Sequence, residues 1–66
     1  MARFRLYSYN DKTGSMPWWD SYDTLAWARR MCKVWYADSP SDYLVFDTEE
    51  RKWFVYHPDI DTLVMA

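Results

Sequence analysis

"DYLVFDTEERKWFVYHP", residues 42–58, predicts a β-hairpin, and this hairpin decides the fold. Two runs rich in strand-forming residues flank a charged turn, and a proline ends the second run. A turn at Glu49-Glu50 sets Phe46 opposite Trp53, with the neighbouring pairs following in register. The hairpin register therefore predicts which side chains share each face of a sheet.

Cross-strand partners lie on the same face, so the register separates two sets of side chains. The first set is apolar throughout and suits a face that packs against a helix. It consists of Leu44, Phe46, Trp53 and Val55, with Phe4 and Leu6 from an earlier strand. The second set collects tyrosine and arginine. It consists of Tyr43, Val45, Phe54, Tyr56, Arg3, Arg5, Tyr7 and Tyr9, with Asp47 and Lys52 at the turn end. A slip of one residue in the hairpin would scramble the two sets.

The remaining elements follow from hydrophobic periodicity. Residues 3–9 alternate and predict a first strand, and residues 10–17, which hold the only glycine, predict a loop. Residues 22–36 predict an amphipathic helix with its N-cap at Ser21. The apolar side of this helix consists of Leu25, Ala28, Met31, Cys32 and Trp35, and the basic side opposite consists of Arg29, Arg30 and Lys33.

The order β-α-β-β predicts a small two-layer α+β domain, in which one amphipathic helix packs on a three-stranded antiparallel sheet. The tail, residues 59–66, is compatible with a short C-terminal edge strand, a docked coil or a frayed end. The chain of 66 residues is expected to form one domain, residues 1–66, because it is too short for two cores.

One helix cannot cover both faces of this sheet, so the tyrosine-bearing face is expected to be exposed. The alternative is that the tail or the loop containing Trp18 and Trp19 folds over it. Adjacent side chains in an extended segment point to opposite sides. One tryptophan is therefore expected to close the edge of the core while the other points outward as a binding anchor, and the alternative places both in a lid over the core.

Composition and motifs argue against catalysis. The single cysteine, Cys32, excludes an internal disulfide, and with the single histidine, His57, it is too little for a zinc site. One glycine in the chain excludes a glycine-rich phosphate loop. We expect no enzyme activity, no cofactor and no bound metal. No segment has the pattern of a membrane span or a secretory signal, which predicts a cytoplasmic protein, in the host cytoplasm if the chain is phage-encoded.

The predicted function is a non-catalytic protein-interaction module that occupies the surface of a partner protein. Small domains of this type are common among phage-encoded inhibitors and accessory factors. The predicted partner-binding residues are Trp18, Trp19, Arg3, Arg5, Tyr7, Tyr9, Tyr43, Phe54, Tyr56, Asp47, Glu49 and Glu50. A homodimer through the same face is a variant of this prediction. The alternative is single-stranded nucleic acid stacked on the aromatic face, although a net charge of −2 gives no general attraction to phosphate.

Overall fold

The computed structural model describes residues 2–66 as an α+β domain with one helix and a five-stranded antiparallel sheet. The elements are β1 (Phe4–Tyr9), β2 (Trp18–Tyr22), α1 (Leu25–Asp38), β3 (Asp42–Asp47), β4 (Lys52–His57) and β5 (Thr62–Met65). The strand order across the sheet is β2-β1-β3-β4-β5. The α+β class with a single helix is confirmed, and the predicted count of three strands is wrong.

The two additional strands lie at the two edges of the sheet. β2 folds back on β1 through residues 10–17, where Gly14 adopts a φ of 74° that favours glycine. β5 pairs with β4 after a four-residue loop, so the tail forms an edge strand. Neither the tail nor the tryptophan segment folds over a face of the sheet, because both extend it sideways.

The helix begins later in the chain than the sequence suggests. Thr24 is the N-cap, and its hydroxyl accepts a hydrogen bond from the Trp27 N–H at 3.1 Å. The predicted cap at Ser21 is wrong because Ser21 belongs to β2, where it lies opposite Arg5. A threonine three residues further on offers the same capping chemistry, and the strand pairing of Ser21 decides between the two.

The hairpin register is confirmed, with Phe46 opposite Trp53. The turn itself spans residues 48–51, and its last residue, Arg51, has a φ of 56°. The Asp47 carboxylate accepts hydrogen bonds from the N–H groups of Glu49 and Glu50, which fixes the start of the turn.

The helix packs against the face opposite to the one expected from the hairpin. Phe4 and Leu6 face the helix as predicted, but the hairpin contributes the tyrosine-bearing set to the core instead of its purely apolar set. The buried apolar residues are Phe4, Leu6, Tyr22, Ala28, Cys32, Tyr43, Val45 and Tyr56, with Leu25, Met31, Trp35, Tyr36, Phe54 and Leu63 packed around them. The predicted exposure of Tyr43, Phe54 and Tyr56 on the face away from the helix is therefore wrong.

Hydroxyl partners at the margin of the core explain this burial of tyrosine. The Tyr43 hydroxyl donates to the Ser39 carbonyl at 2.6 Å, where the helix ends. The Tyr56 hydroxyl donates to Asp61 at 2.8 Å, and Arg29 binds the other oxygen of that carboxylate at 2.8 Å. Each ring buries its apolar surface while its oxygen keeps a partner, so neither tyrosine leaves a polar group unsatisfied.

Candidate protein-interaction surface

The face of the sheet away from the helix is not covered by any segment within residues 2–66. We call it the open face. One row of apolar side chains crosses all five strands, because cross-strand partners share a face. This row, which we call the central row, consists of Trp18, Tyr7, Leu44, Val55 and Val64. A second row beside it consists of Ser21, Arg5, Phe46 and Trp53.

Trp53 lies at the centre of an aromatic cluster on the open face. Its ring centroid is 4.7 Å from that of Phe46 and 5.3 Å from that of Tyr7, and both pairs are tilted. These three side chains contact one another laterally and are half-buried, and no segment of residues 2–66 covers them. Such packing holds the rings in place before any partner binds, which reduces the entropy lost on association.

The tryptophan pair is divided between the two faces, as expected for neighbours in a strand. Trp19 lies on the helix side, where it stacks on Trp35 at 5.6 Å and donates its indole N–H to Ser8 at 2.8 Å. Trp18 lies beside Arg5 on the open face, with the guanidinium carbon 5.0 Å from the ring centroid. Trp18 remains 56% exposed, so much of its ring is available to a partner.

A β-bulge allows this arrangement at the end of β2. Leu6 pairs with Asp20 and the next residue, Tyr7, pairs with Trp18, so Trp19 is the extra residue of the strand. The bulge lets one indole close the gap between β2 and the helix while the other joins the central row of the open face. The sequence gives no separate signal for the bulge.

Four of the predicted partner-binding residues meet on the open face. They are Trp18, Arg5, Tyr7 and Tyr9. The helix side holds Tyr43, Phe54 and Tyr56, which packing removes from any surface shared with these four. Sequence reasoning omitted Leu44, Phe46, Trp53 and Val55, the apolar set of the hairpin. Their uniformly apolar character is the available signal, but in the sequence alone it indicates a face that packs against the helix.

Four of the five residues predicted to supply charge at the rim of the interface form an ion-pair cluster around Arg3 at one end of the sheet. Arg3 forms a bidentate pair with Asp47, each N–O distance being 2.8 Å, and also contacts Glu50 at 2.9 Å. Glu49 lies 3.6 Å from the same guanidinium. Asp47 is buried, so its predicted place as a rim charge of the open face is wrong.

Hydrogen bonding controls the protonation of Asp47. The guanidinium of Arg3 and the N–H groups of Glu50 and Glu49 lower the pKa of the Asp47 carboxyl to about 2, even though burial acts in the opposite direction. The carboxylate therefore stays ionised in the folded protein at neutral pH. This cluster connects the start of β1 to the β3–β4 turn, which is a structural role.

The single cysteine and the single histidine lie in different surroundings. Cys32 is fully buried, and burial raises the pKa of its thiol to about 12, so it is not a nucleophile at neutral pH. His57 is exposed at the end of β4. Among residues 2–66, no group of three or more His, Cys, Asp or Glu side chains is placed to hold a metal ion.

Comparison with known proteins gives no independent indication of function. No family model, no curated protein and no solved structure matches this chain. Within residues 2–66 there is also no helix with the length and apolar character needed to cross a membrane. The open face is therefore the feature from which a binding role is inferred.

Proposed function

We propose that this chain is a non-catalytic protein-interaction module that occupies a partner protein's surface with its open face. The observation that supports this function is the uncovered aromatic cluster of Trp53, Tyr7 and Phe46 at the centre of that face. Tryptophan, tyrosine and phenylalanine are enriched at the centres of protein interfaces. The largest apolar patch on a monomer is often a binding site.

The open face is a better candidate than the other exposed apolar side chains. Trp27 is 49% exposed, but it lies in the first turn of α1 and packs on Tyr22 at 5.6 Å. Val34 and Ile60 are exposed singly, which is ordinary for a protein surface. Only the open face offers a row of apolar side chains that runs without interruption across every strand of the sheet.

The charges of the open face indicate what kind of protein surface would fit it. Its two rows of side chains contain a single cation, Arg5, which lies over the Trp18 ring at one margin. A partner surface that is flat and apolar, with a carboxylate placed near Arg5, would complement this arrangement. Asp42 lies opposite Tyr9 at the far end of β1 and adds a negative charge there.

Single-stranded nucleic acid is the alternative partner, because Trp53 and Tyr7 could stack bases. Backbone phosphates require several cations along the binding track. The two rows of the open face contain one cation, Arg5, whereas the basic side chains of the helix, Arg29 and Lys33, lie on the other side of the sheet near Asp61. This distribution of charge favours a protein partner.

Affinity capture with matched tryptophan variants tests the proposal. The immobilised chain is incubated with an extract of the cells that produce it, and retained proteins are identified by mass spectrometry. We expect one defined protein to be retained by the unmodified chain and by Trp27→Ala. Trp53→Ala should reduce retention by about tenfold or more, as for a central interface tryptophan.

Two results would contradict the proposal. The first is the absence of any specifically retained protein. The second is equal retention by Trp53→Ala and Trp27→Ala, after thermal unfolding has shown both variants to be folded. Retention of labelled single-stranded DNA or RNA that falls steeply with salt would instead support the nucleic-acid alternative.

A further inference from the structure

The outer edge of β5 has hydrogen-bonding groups that no strand within residues 2–66 uses. β5 is the last strand of the sheet, and β4 lies on its inner side only. The Ala66 N–H donates to the Trp53 carbonyl at 3.0 Å, which marks the inward-facing residues. Because the direction alternates along an antiparallel strand, Val64 also faces inward, whereas the N–H and C=O groups of Leu63 and Met65 face outward.

The edge at β2 is protected, and the edge at β5 is not. In β2 the Asp20 carboxylate accepts from the outward Ser21 N–H at 2.8 Å. A side chain thus already occupies an edge group of β2, which also carries a charge and a bulge. β5, with the sequence TLVM, has no charge, no proline and no bulge, and its Met65 is 57% exposed.

An apolar groove runs beside the unprotected edge on the helix side. It has a volume of about 270 Å³ and lies between the first turns of α1 and the edge strand β5. The groove is lined by Leu25, Ala26, Arg29, Thr62 and Leu63. A strand added to β5 would direct every second side chain toward this groove.

We propose that β5 pairs antiparallel with β5 of a second copy of this chain, around a two-fold axis at Val64. The axis at Val64 sets Val64 opposite Val64 of the second copy and Leu63 opposite Met65 of the second copy, and each opposed pair shares a face. This register joins the outward N–H and C=O groups of both strands. It also places Met65 of the second copy beside Leu63, where a flexible thioether side chain can enter the apolar groove.

The area of the open face favours a second copy as the occupant of the edge. Five strands about 4.8 Å apart span about 24 Å, and two rows of side chains span about 13 Å along the strands. The patch thus covers about 300 Å², whereas a typical partner in a stable complex contributes about 800 Å². Edge pairing makes one ten-stranded sheet and sets two open faces side by side, which doubles the patch to about 600 Å².

Sedimentation equilibrium on the purified chain tests the pairing. Between about 10 µM and 1 mM protein, the average mass should rise from 8.1 kDa toward twice that value. Met65→Pro removes an outward N–H while leaving the bonds between β4 and β5 intact, and it should weaken self-association by about tenfold or more. Met65→Leu keeps the N–H and an apolar side chain, so it should associate like the unmodified chain.

The open-face variant Trp53→Ala separates this pairing from the proposed function. It should retain self-association while losing the partner protein. A chain that stays monomeric at about 1 mM would overturn the proposal, as would loss of self-association in Trp53→Ala. The pairing rests on the proposed function only through the area of the open face, so partner capture is measured on the same samples: a monomeric chain that still retains its partner would overturn the pairing alone.

NMR on the unmodified chain provides a second test, which does not depend on whether Met65→Pro perturbs the tail. In an equimolar mixture of isotope-labelled and unlabelled chains, NMR should show contacts between the Val64 methyl groups of different copies. A dimeric sample without these contacts would overturn the proposed register, even if its mass is twice that of the monomer.

Discussion

Asp47 shows how one buried carboxylate organises an end of the sheet. Its oxygens accept hydrogen bonds from the Arg3 guanidinium and from the N–H groups of Glu49 and Glu50 in the β3–β4 turn. Both oxygens of the carboxylate therefore have hydrogen-bond partners. A buried charge is tolerated only with such compensation. Removing either the carboxylate or the guanidinium should therefore lower the free energy of unfolding.

The Asp47–Arg3 pair predicts a specific dependence of stability on pH. The pKa of Asp47 is about 2 in the folded protein and near 3.8 ordinarily, so its stabilising effect is complete above about pH 4 and is lost as the pH falls toward 2. Asp47→Asn should be less stable than the unmodified chain at pH 7, and the difference should shrink at acidic pH. Urea denaturation between pH 2 and pH 7 measures this.

The partner of this carboxylate supplies the control. Arg3→Gln should lower stability at pH 7, and combining it with Asp47→Asn should add little, since both variants remove the same interaction. Protonation of Asp61 also lowers the free energy of unfolding at acidic pH, because the Tyr56 hydroxyl and nearby cations lower its pKa in the folded protein. Asp47→Asn should therefore retain part of the acid sensitivity. An Asp47→Asn effect that is equal at pH 2 and pH 7 would contradict the assignment.

The attachment of the helix end to β3 depends on a tyrosine hydroxyl. Tyr43 donates to the carbonyl oxygens of Ser39 and Trp35, at 2.6 and 3.3 Å. Tyr43→Phe should lower the free energy of unfolding by about 1 kcal/mol, the usual net effect of a lost hydrogen bond. Thermal and urea unfolding, followed by circular dichroism, measure the change.

Tyr22 provides a matched control on β2. Its hydroxyl is buried and has no hydrogen bond of good geometry within residues 2–66, although the side chains of Trp35 and Asp20 lie near it, and burial raises its pKa. Tyr22→Phe removes an unsatisfied polar group, so it should raise the free energy of unfolding by about 1 kcal/mol. If the two substitutions have effects of the same sign, hydroxyl satisfaction is not what places these rings in the core.

The same chemistry explains why the sequence predicts the hairpin register but not its inner face. Strand-forming runs around a charged turn are enough to oppose Phe46 and Trp53. Both faces of the hairpin are rich in large apolar side chains, and hydrophobicity alone favours the uniformly apolar face as the core, which is not the face that the helix covers. The choice depends on hydroxyl partners at Ser39 and Asp61, which are distant from the hairpin pattern and known only once the helix and β5 are in place.

The two edge strands show a second limit of sequence patterns. β2 is five residues long and contains a bulge, which interrupts the alternation that identifies a strand. β5 has four residues, and the sequence of the tail is compatible with an edge strand, a docked coil or a frayed end. The division of Trp18 and Trp19 between the faces could be predicted from strand geometry alone, because it needs only a locally extended backbone.

The architecture as a whole makes a prediction about two valines on adjacent strands. Val45 is fully buried beneath the helix, and Val55 lies half-buried in the central row of the open face. Threonine keeps the β-branched shape and adds a hydroxyl, so Val→Thr tests burial with little change in strand propensity. Val45→Thr should lower the free energy of unfolding by about 1–3 kcal/mol, and Val55→Thr should change it by less than about 0.5 kcal/mol.

Urea denaturation of the two variants therefore distinguishes a core face from a binding face. Val55→Thr should instead weaken partner capture, because it adds a polar group at the centre of the apolar row, whereas Val45→Thr should bind normally while folded. The reverse order of stabilities would mean that the helix covers Leu44, Phe46, Trp53 and Val55, the arrangement that hydrophobicity alone suggests. The open face would then carry tyrosine hydroxyls instead of the aromatic cluster, and the proposed interface would lose its centre.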